Sequence, residues 1–532
     1  MTTTTKPRRR HPYARLAAIA LLLAATGCAS KQERAANAMN EGVQLAAAGQ
    51  YAAAAVKFNL AVSLRDDIPA LWIARARNQV QLKDYGGAFA SYRNALDQDR
   101  TNREALDAVS QLALATNDLD LAKDYATQIL ALDPNDINAQ LVSGTISYRR
   151  GRLEEAKATV DKTLAQDATN EAARVLKSRI LLRQGDDAAA LALIAPVFAA
   201  GGGSPDLRRQ LVSIYERSGD GAGLARVAQR NAAEQPRDPT TQIEWARQLI
   251  LSGRVAPAAG VLAAIHRIDP SDATRASTVA MLLDADVSGA DTARLFAGAD
   301  AEPSLAVALA QHALAVRDPA TAIARLAPLA AARPLDASTT DLHAAYALAL
   351  AQSGRGAEAA RRAAAVLAID PAEPIALTAR AITAISARNF DAAVRDARVV
   401  ARDNPGSANA VALLAQIYRL RGDQLAAEAT INGAFNDNEE NSAFLALYVA
   451  QALGSGKAAD AQSEVRAFTI RHPASVLAWR LRAQICAATK DGACVSRARA
   501  LIARLHGQQV ALPPVPPEEQ TAERDQQTTA PQ

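Results

Sequence analysis

Apolar residues recur at a fixed spacing of 34 residues along most of the chain. The clearest matches are the pairs Ala54 and Ala88, Phe58 and Tyr92, and Ala61 and Ala95. An interval of this length is typical of a tandem array in which each unit is one helical hairpin. The pattern therefore predicts stacked helix pairs, and it argues against the several globular domains that 532 residues would otherwise favour.

The recurring positions have separate physical roles in such a hairpin. Small residues at unit positions 8 and 20 let two helices cross closely, and a larger residue at position 24 fills the space beside them. Proline at position 32 ends the second helix because it cannot continue the hydrogen-bond ladder. The turn glycines are Gly49, Gly151, Gly185, Gly219 and Gly253, and the prolines are Pro134, Pro236 and Pro270. This pattern resembles the tetratricopeptide repeat (TPR), which implies an all-α fold, a right-handed superhelical solenoid of about 13 antiparallel helix pairs.

The register of the repeat divides the chain. Seven units keep one register across residues 28–272, and five more keep it across 340–507. Residues 273–339 lose the register, so they are either degenerate repeats in a continuous solenoid or a joint between two stacks. Residues 508–532 are rich in proline and glutamine, which predicts a disordered and locally extended tail.

The first 27 residues have the layout of a bacterial export signal. A cationic segment at 6–15 precedes an apolar run at 16–25 that is too short to span a bilayer comfortably. The following Ala25-Thr26-Gly27-Cys28 resembles a lipobox, which implies that Cys28 is acylated. By the same resemblance, Ala29 implies sorting to the outer membrane of a Gram-negative bacterium, with the protein lipid-anchored on the periplasmic face. The alternative is an ordinary signal peptide followed by a cysteine without a role.

The charge balance argues against general nucleic-acid binding. The whole chain has a formal net charge of +4, but five of its cations lie in the first 27 residues, which contain no acid. The rest of the chain has 54 basic and 55 acidic residues. It therefore lacks the excess of cations that binds phosphate backbones.

The polar residues show no catalytic or cofactor-binding pattern. The six histidines are scattered, and Gly454-Ser455-Gly456-Lys457 lacks both the first glycine and the final hydroxyl residue of a phosphate-binding loop. We therefore predict no enzyme activity, no cofactor and no metal site. Cys486 and Cys494 lie eight residues apart on the facing surfaces of two predicted helices. In an oxidising compartment they form either a disulfide or two small buried thiols.

The resemblance to TPR proteins also implies a binding groove, lined by positions 2, 5, 9, 12 and 13 of each first helix. These positions hold Arg77, Arg179 and Arg247 (position 9), Arg149, Arg183 and Arg217 (position 13), Arg209 (position 5) and Tyr148 (position 12). Several arginines on one wall can bind carboxylates in an acidic peptide or an anionic polysaccharide. The alternative is a solvated charged face.

Together these features predict a membrane-tethered scaffold that mediates protein–protein interactions in the bacterial envelope. The resemblance extends to TPR lipoproteins that support pilus assembly or secretion, so the expected partners are envelope proteins of such machinery. The alternative function is an accessory lipoprotein of exopolysaccharide export, which would contact an anionic glycan or the export porin.

Overall fold

The computed structural model describes residues 30–299 and 302–513, which form 28 α-helices and no strand. In chain order the helices are α1 (Lys31–Ala47), α2 (Tyr51–Leu64), α3 (Pro69–Gln81), α4 (Tyr85–Gln98), α5 (Arg103–Ala115), α6 (Leu119–Leu132), α7 (Ile137–Arg149), α8 (Leu153–Gln166), α9 (Glu171–Gln184), α10 (Asp187–Ala199), α11 (Pro205–Ser218), α12 (Gly221–Glu234), α13 (Pro239–Leu251), α14 (Val255–Ile268), α15 (Asp272–Asp284), α16 (Gly289–Ala299), α17 (Pro303–Ala315), α18 (Pro319–Ala332), α19 (Thr340–Gln352), α20 (Gly356–Ile369), α21 (Pro374–Ser386), α22 (Phe390–Asp403), α23 (Ala408–Leu420), α24 (Gln424–Asp437), α25 (Ser442–Gly454), α26 (Gln462–Arg471), α27 (Val476–Ala488) and α28 (Gly492–Leu505). The predicted all-α array of antiparallel helix pairs is confirmed. The predicted signal, the lipid site Cys28 and residues 514–532 of the tail lie outside the described residues.

The core of each pair is built from the small residues that the repeat supplies. Ala54, Ala61 and Ala88 are fully buried where helices cross, and Phe58 fills the space beside them. A side chain at Gly42 would collide with the ring of Phe58. Close helix crossings of this kind need residues without bulk.

The loss of register at 273–339 corresponds to a change in the length of three consecutive helix pairs. From α3 to α13, and again from α19 to α27, successive first helices begin 34 residues apart. Between them, α15, α17 and α19 begin 33, 31 and 37 residues after their predecessors. The described part of this segment is helical, with α16 shortened to 11 residues.

The chain divides into two compact units, which we call unit 1 and unit 2. Unit 1 ends at Leu193 and unit 2 begins at Ile194, so the boundary lies inside α10. The predicted stacks at 28–272 and 340–507 are a different division, which stays a prediction. In unit 1 each helix packs against its neighbours along the chain. In unit 2 the array also closes on itself, since α15 contacts α25 and α27, and α12 contacts α28.

Two further features bear on the predictions. Cys486 and Cys494 join α27 to α28 through a disulfide, with Cα atoms 5.9 Å apart. A carboxylate oxygen of Asp491 and the two sulfur atoms lie within 4.8 Å of one another.

Within the described ranges, no helix combines the length and apolarity needed to cross a bilayer.

Candidate partner-binding surfaces

In unit 1, two of the predicted groove arginines donate to backbone carbonyls of the preceding repeat. Arg149 Nη1 donates to the carbonyl of Leu114 at 2.6 Å and to Asn117 Oδ1 at 3.3 Å. Arg183 Nη1 donates to the carbonyl of Tyr148 at 2.9 Å, and its guanidinium lies 4.3 Å from the centre of the Tyr148 ring. Both carbonyls belong to the last turn of the preceding first helix. Carbonyls in the last turn lack an intrahelical donor and carry the partial negative charge of the helix dipole. These arginines therefore hold one repeat on the next.

The other predicted groove residues differ in what surrounds them. Arg77 is exposed and pairs with Glu104, and Arg209 is exposed and pairs with Asp206 on its own helix. Arg179 is half-buried, and among the described residues it makes no ion pair. Burial, followed by the nearby charge of Arg179, lowers the pKa of Arg149. The remaining two are Arg217, half-buried at the end of α11, and Arg247, buried on α13. A role of these residues in binding a partner stays a prediction.

Unit 2 contains a cavity of about 2440 Å³ that is partly open to solvent. Its wall is formed by the first helices α13, α15, α17, α19, α21, α23 and α25, as the TPR resemblance implies for a groove. Its apolar lining includes Ile243, Val279, Val307, Ile375, Ile385 and Leu413. Small-molecule pockets usually measure about 300–1,000 Å³, so this cavity has room for a polypeptide segment.

Most of the charges in the cavity wall are paired with each other. Arg275 pairs with Asp272 and lies 2.9 Å from Asp341. Glu440 accepts from Arg471 at 3.0 Å and from His472 at 2.6 Å. These pairs leave a wall of mixed apolar and neutralised polar character.

Glu373 is a buried carboxyl in the same wall. It caps α21 by accepting a hydrogen bond from the backbone amide of Ala376 at 2.5 Å. Burial raises its pKa to about 7, and the backbone hydrogen bonds oppose that shift less strongly. The carboxylates of Asp370 and Asp341 push the pKa in the same direction as burial.

The ends of unit 2 meet at a polar contact that we call the seam: Arg247, Asp284 and Asp286 on one side, and Ala474, Ser475 and Arg480 on the other. Arg247 is only 7% exposed and donates to the carbonyl of Ala474. Its guanidinium also lies 3.4 Å from Asp284, which accepts from Ser475 Oγ at 2.5 Å. Arg480 pairs with Asp286 at 2.6 Å. Arg247 belongs to the predicted groove set, and Arg480 occupies a groove-facing position of the C-terminal repeats. Sequence reasoning did not pair Arg247 with Ala474, because the two lie 227 residues apart and no spacing marks the pair.

The comparisons with known proteins identify the repeat. Family models described as tetratricopeptide repeat match residues 113–180 in unit 1, and residues 378–440 and 451–493 in unit 2. The chain contains tetratricopeptide repeats. Proteins with TPR arrays bind other proteins, so the repeats indicate a protein-binding scaffold, and no feature of the comparisons indicates an enzyme.

Three similar solved structures have low sequence identity to the chain. MamA from Desulfovibrio magneticus RS-1 is 16% identical, with 31% of this chain and 94% of that chain covered and a TM-score of 0.30. PilF from Pseudomonas aeruginosa is 16% identical, with 41% and 97% covered and a TM-score of 0.32. The Naa15/Naa10 complex bound to HypK-THB is 13% identical, with 96% and 94% covered and a TM-score of 0.28. Among curated proteins, none matches the chain.

Proposed function

We propose that the protein is a lipid-anchored scaffold of a Gram-negative envelope, on the periplasmic face of the outer membrane. In this proposal it binds a polypeptide segment of an assembly or secretion machine in the cavity of unit 2. The cavity carries the proposal, because its volume and its lining by successive first helices fit an extended or helical segment. The apolar wall would accept the apolar side chains of the partner, and the paired charges would fix its register.

The envelope location is supported by the leader and by the cysteines. The lipobox-like Ala25-Thr26-Gly27-Cys28 places the acylated residue two positions before Ser30, which caps α1. The disulfide between Cys486 and Cys494 fits an oxidising compartment. Both features agree with a periplasm-facing protein.

The alternative partner, an anionic polysaccharide, needs arginines that are available to its carboxylates. Arg77, Arg149, Arg209 and Arg247 each have partners within the protein. An anionic glycan would have to displace carboxylates or carbonyls that already hold these guanidinium groups. We therefore favour a protein partner.

The anchor is tested by metabolic labelling with an alkyne-tagged fatty acid, comparing the wild-type protein with Cys28→Ser. We expect label and outer-membrane fractionation for the wild type and neither for the variant. An unlabelled wild-type protein would show that the anchor is wrong.

The cavity is tested in cells with a photoreactive phenylalanine analogue in place of Ile385, which lines the cavity. The matched position is Leu425, which is 81% exposed and does not line it. We expect Ile385 to capture a reproducible set of envelope proteins that Leu425 does not. Equal capture at both positions, or purified protein that retains only a salt-removable glycan, would overturn the proposal.

A further inference from the structure

The seam of unit 2 differs in chemistry from the contacts between neighbouring helix pairs. Neighbours such as α22 and α23 pack through buried apolar side chains, including Val394, Ala397 and Leu414. The seam instead joins helices far apart in the chain through Arg247, Asp284 and Ser475. It brings α13 and the end of α15 against the beginning of α27.

Two carboxylates share the guanidinium of Arg247. Its nitrogen atoms lie 3.4 Å from a carboxylate oxygen of Glu244 on the same helix and 3.4 Å from one of Asp284. In the closed seam the Arg247 side chain is 9% exposed, whereas those of Asp284 and Glu244 stay 28% and 46% exposed. The loss of hydration at Arg247 offsets part of its attraction to the two carboxylates, and opening would let water return to it. The outer pair between Arg480 and Asp286 is partly exposed, and such pairs add little.

A second contact closes the array, between α12 and α28, and there the backbone fit is close. Gly221, the first residue of α12, lies against the carbonyl oxygen of Leu505 at the end of α28. A methyl group at this position would collide with that oxygen, whereas Gly356, the first residue of α20, has open space around it. The closed arrangement is therefore a specific fit between two surfaces that are distant in sequence.

We infer that the seam is a gate, which opens to admit a continuous polypeptide segment into the cavity of unit 2 and then closes over it. The inference rests on the proposed function for the identity of what enters. While the seam is closed, a chain end or a loop can enter the cavity through its open sides. A segment with folded domains on both sides enters only if the seam separates, and the desolvation of its charged groups lowers the cost of separating it.

The opening itself is tested without a partner, on the purified mature chain under non-reducing conditions. Spin labels are attached at Ala256→Cys on α14 and Gln484→Cys on α27, which are exposed positions on opposite sides of the seam. Double electron–electron resonance then gives the distribution of distances between the labels. We expect a closed population and a minor longer one in the wild-type background. We expect Asp284→Asn to raise the longer population about tenfold, because the variant removes the carboxylate that holds both Arg247 and Ser475 across the seam.

The matched control is Asp396→Asn. It removes a carboxylate that accepts two bonds from Arg380, at 2.7 and 2.9 Å, within the pair α21 and α22. We expect this variant to leave the distance distribution unchanged. A distribution that stays closed and single in the wild type and in Asp284→Asn would overturn the gate. A shift of equal size in Asp396→Asn would also overturn it, since the effect would then be general loosening.

A second arm separates the gate from the proposed function. Asp284→Cys and Ser475→Cys are joined by a short bis-maleimide, and capture of solubilised envelope proteins by the photoreactive group at Ile385 is compared before and after joining. We expect capture to fall about tenfold when the seam is locked. Equal capture by locked and unlocked protein overturns the gate while the binding function stands. No capture in any variant, with opening still seen by resonance, overturns the binding function instead.

Discussion

The two units use the same residue type in opposite ways. In unit 1, Arg149 and Arg183 each donate to a carbonyl 35 residues earlier, so every bond joins one repeat to its neighbour. In unit 2, Arg247 donates to a carbonyl 227 residues later, and the bond closes the array. An arginine on a first helix therefore extends a TPR array or closes it, depending on which carbonyl it reaches. The residues of the repeat signature determine how neighbouring helices pack. Residues outside the signature determine where distant parts of the array contact each other.

The largest expected effect comes from a methyl group where α12 meets α28. We expect Gly221→Ala to destabilise unit 2 by about 3 kcal/mol, the upper end of what overpacking costs, because the obstacle is backbone and cannot rotate away. Trp245 fluorescence during urea unfolding, with Trp72 and Trp479 replaced by phenylalanine, reports on unit 2.

The control is Gly356→Ala, which places the same methyl group at the same position of another second helix. Its surroundings are open, so we expect no loss and a gain of up to about 1 kcal/mol from helix propensity. Trp72 fluorescence in the corresponding single-tryptophan protein should show unit 1 unaffected by either variant. Equal losses in the two variants would mean that the close fit of Gly221 against Leu505 does not hold unit 2 together.

A smaller, pH-dependent effect is expected at Glu216. Burial, followed by the charge of Glu244, raises its pKa to about 7, although Arg247 opposes the shift. The contribution of Glu216 to the stability of unit 2 is therefore fully present below the unfolded pKa of about 4.5. It is lost as the pH rises through 7. We expect Glu216→Gln to stabilise unit 2 by about 1–2 kcal/mol at pH 8 and by nothing at pH 4, as measured by the urea midpoint. A gain independent of pH would contradict this assignment.

Two histidines of unit 2 act in the opposite direction over an overlapping range. His266 lies between Ser304 and Thr278, at 3.0 and 2.9 Å, and burial lowers its pKa to about 4. His312 is buried beside Thr292, and its pKa is also lowered to about 4. Stability from these groups is present above pH 6.5 and is lost as the pH falls through 4. Glu216→Gln should therefore leave unit 2 with a steeper loss of stability in acid than the wild type has.

The helical array could be predicted from the sequence because its causes are local. Ala54, Ala61 and Phe58 lie within one hairpin, and the contacts they make recur every 34 residues. The same reasoning leaves 273–339 as either degenerate repeats or a joint, since the helix pairs there differ in length and no fixed interval describes them. Periodic sequence predicts periodic structure only while the spacing holds.

The candidate site was less accessible to sequence reasoning. The cavity wall follows from the TPR resemblance, but the seam joins Asp284 to Ser475 across 191 residues, and nothing in the spacing marks that pair. A usable signal did exist for the arginines of unit 1. Arg149 and Arg183 recur at the repeat interval itself, and a residue with the period of the array is a candidate for joining the repeats.

The smallest expected effect separates that joining role from ligand binding. We expect Arg183→Met to destabilise unit 1 by about 1–2 kcal/mol, because the carbonyl of Tyr148 loses a charged donor and the Tyr148 ring loses its cation. Arg179→Met removes a neighbouring guanidinium that has no ion pair among the described residues, so its effect on stability should stay within about 0.5 kcal/mol. Trp72 fluorescence in urea measures both. If Arg179→Met costs as much as Arg183→Met, the loss comes from the aliphatic stems, and the bonds between repeats contribute little. If only Arg183→Met is destabilising, Arg179 is the arginine of this pair whose charge is available to a partner.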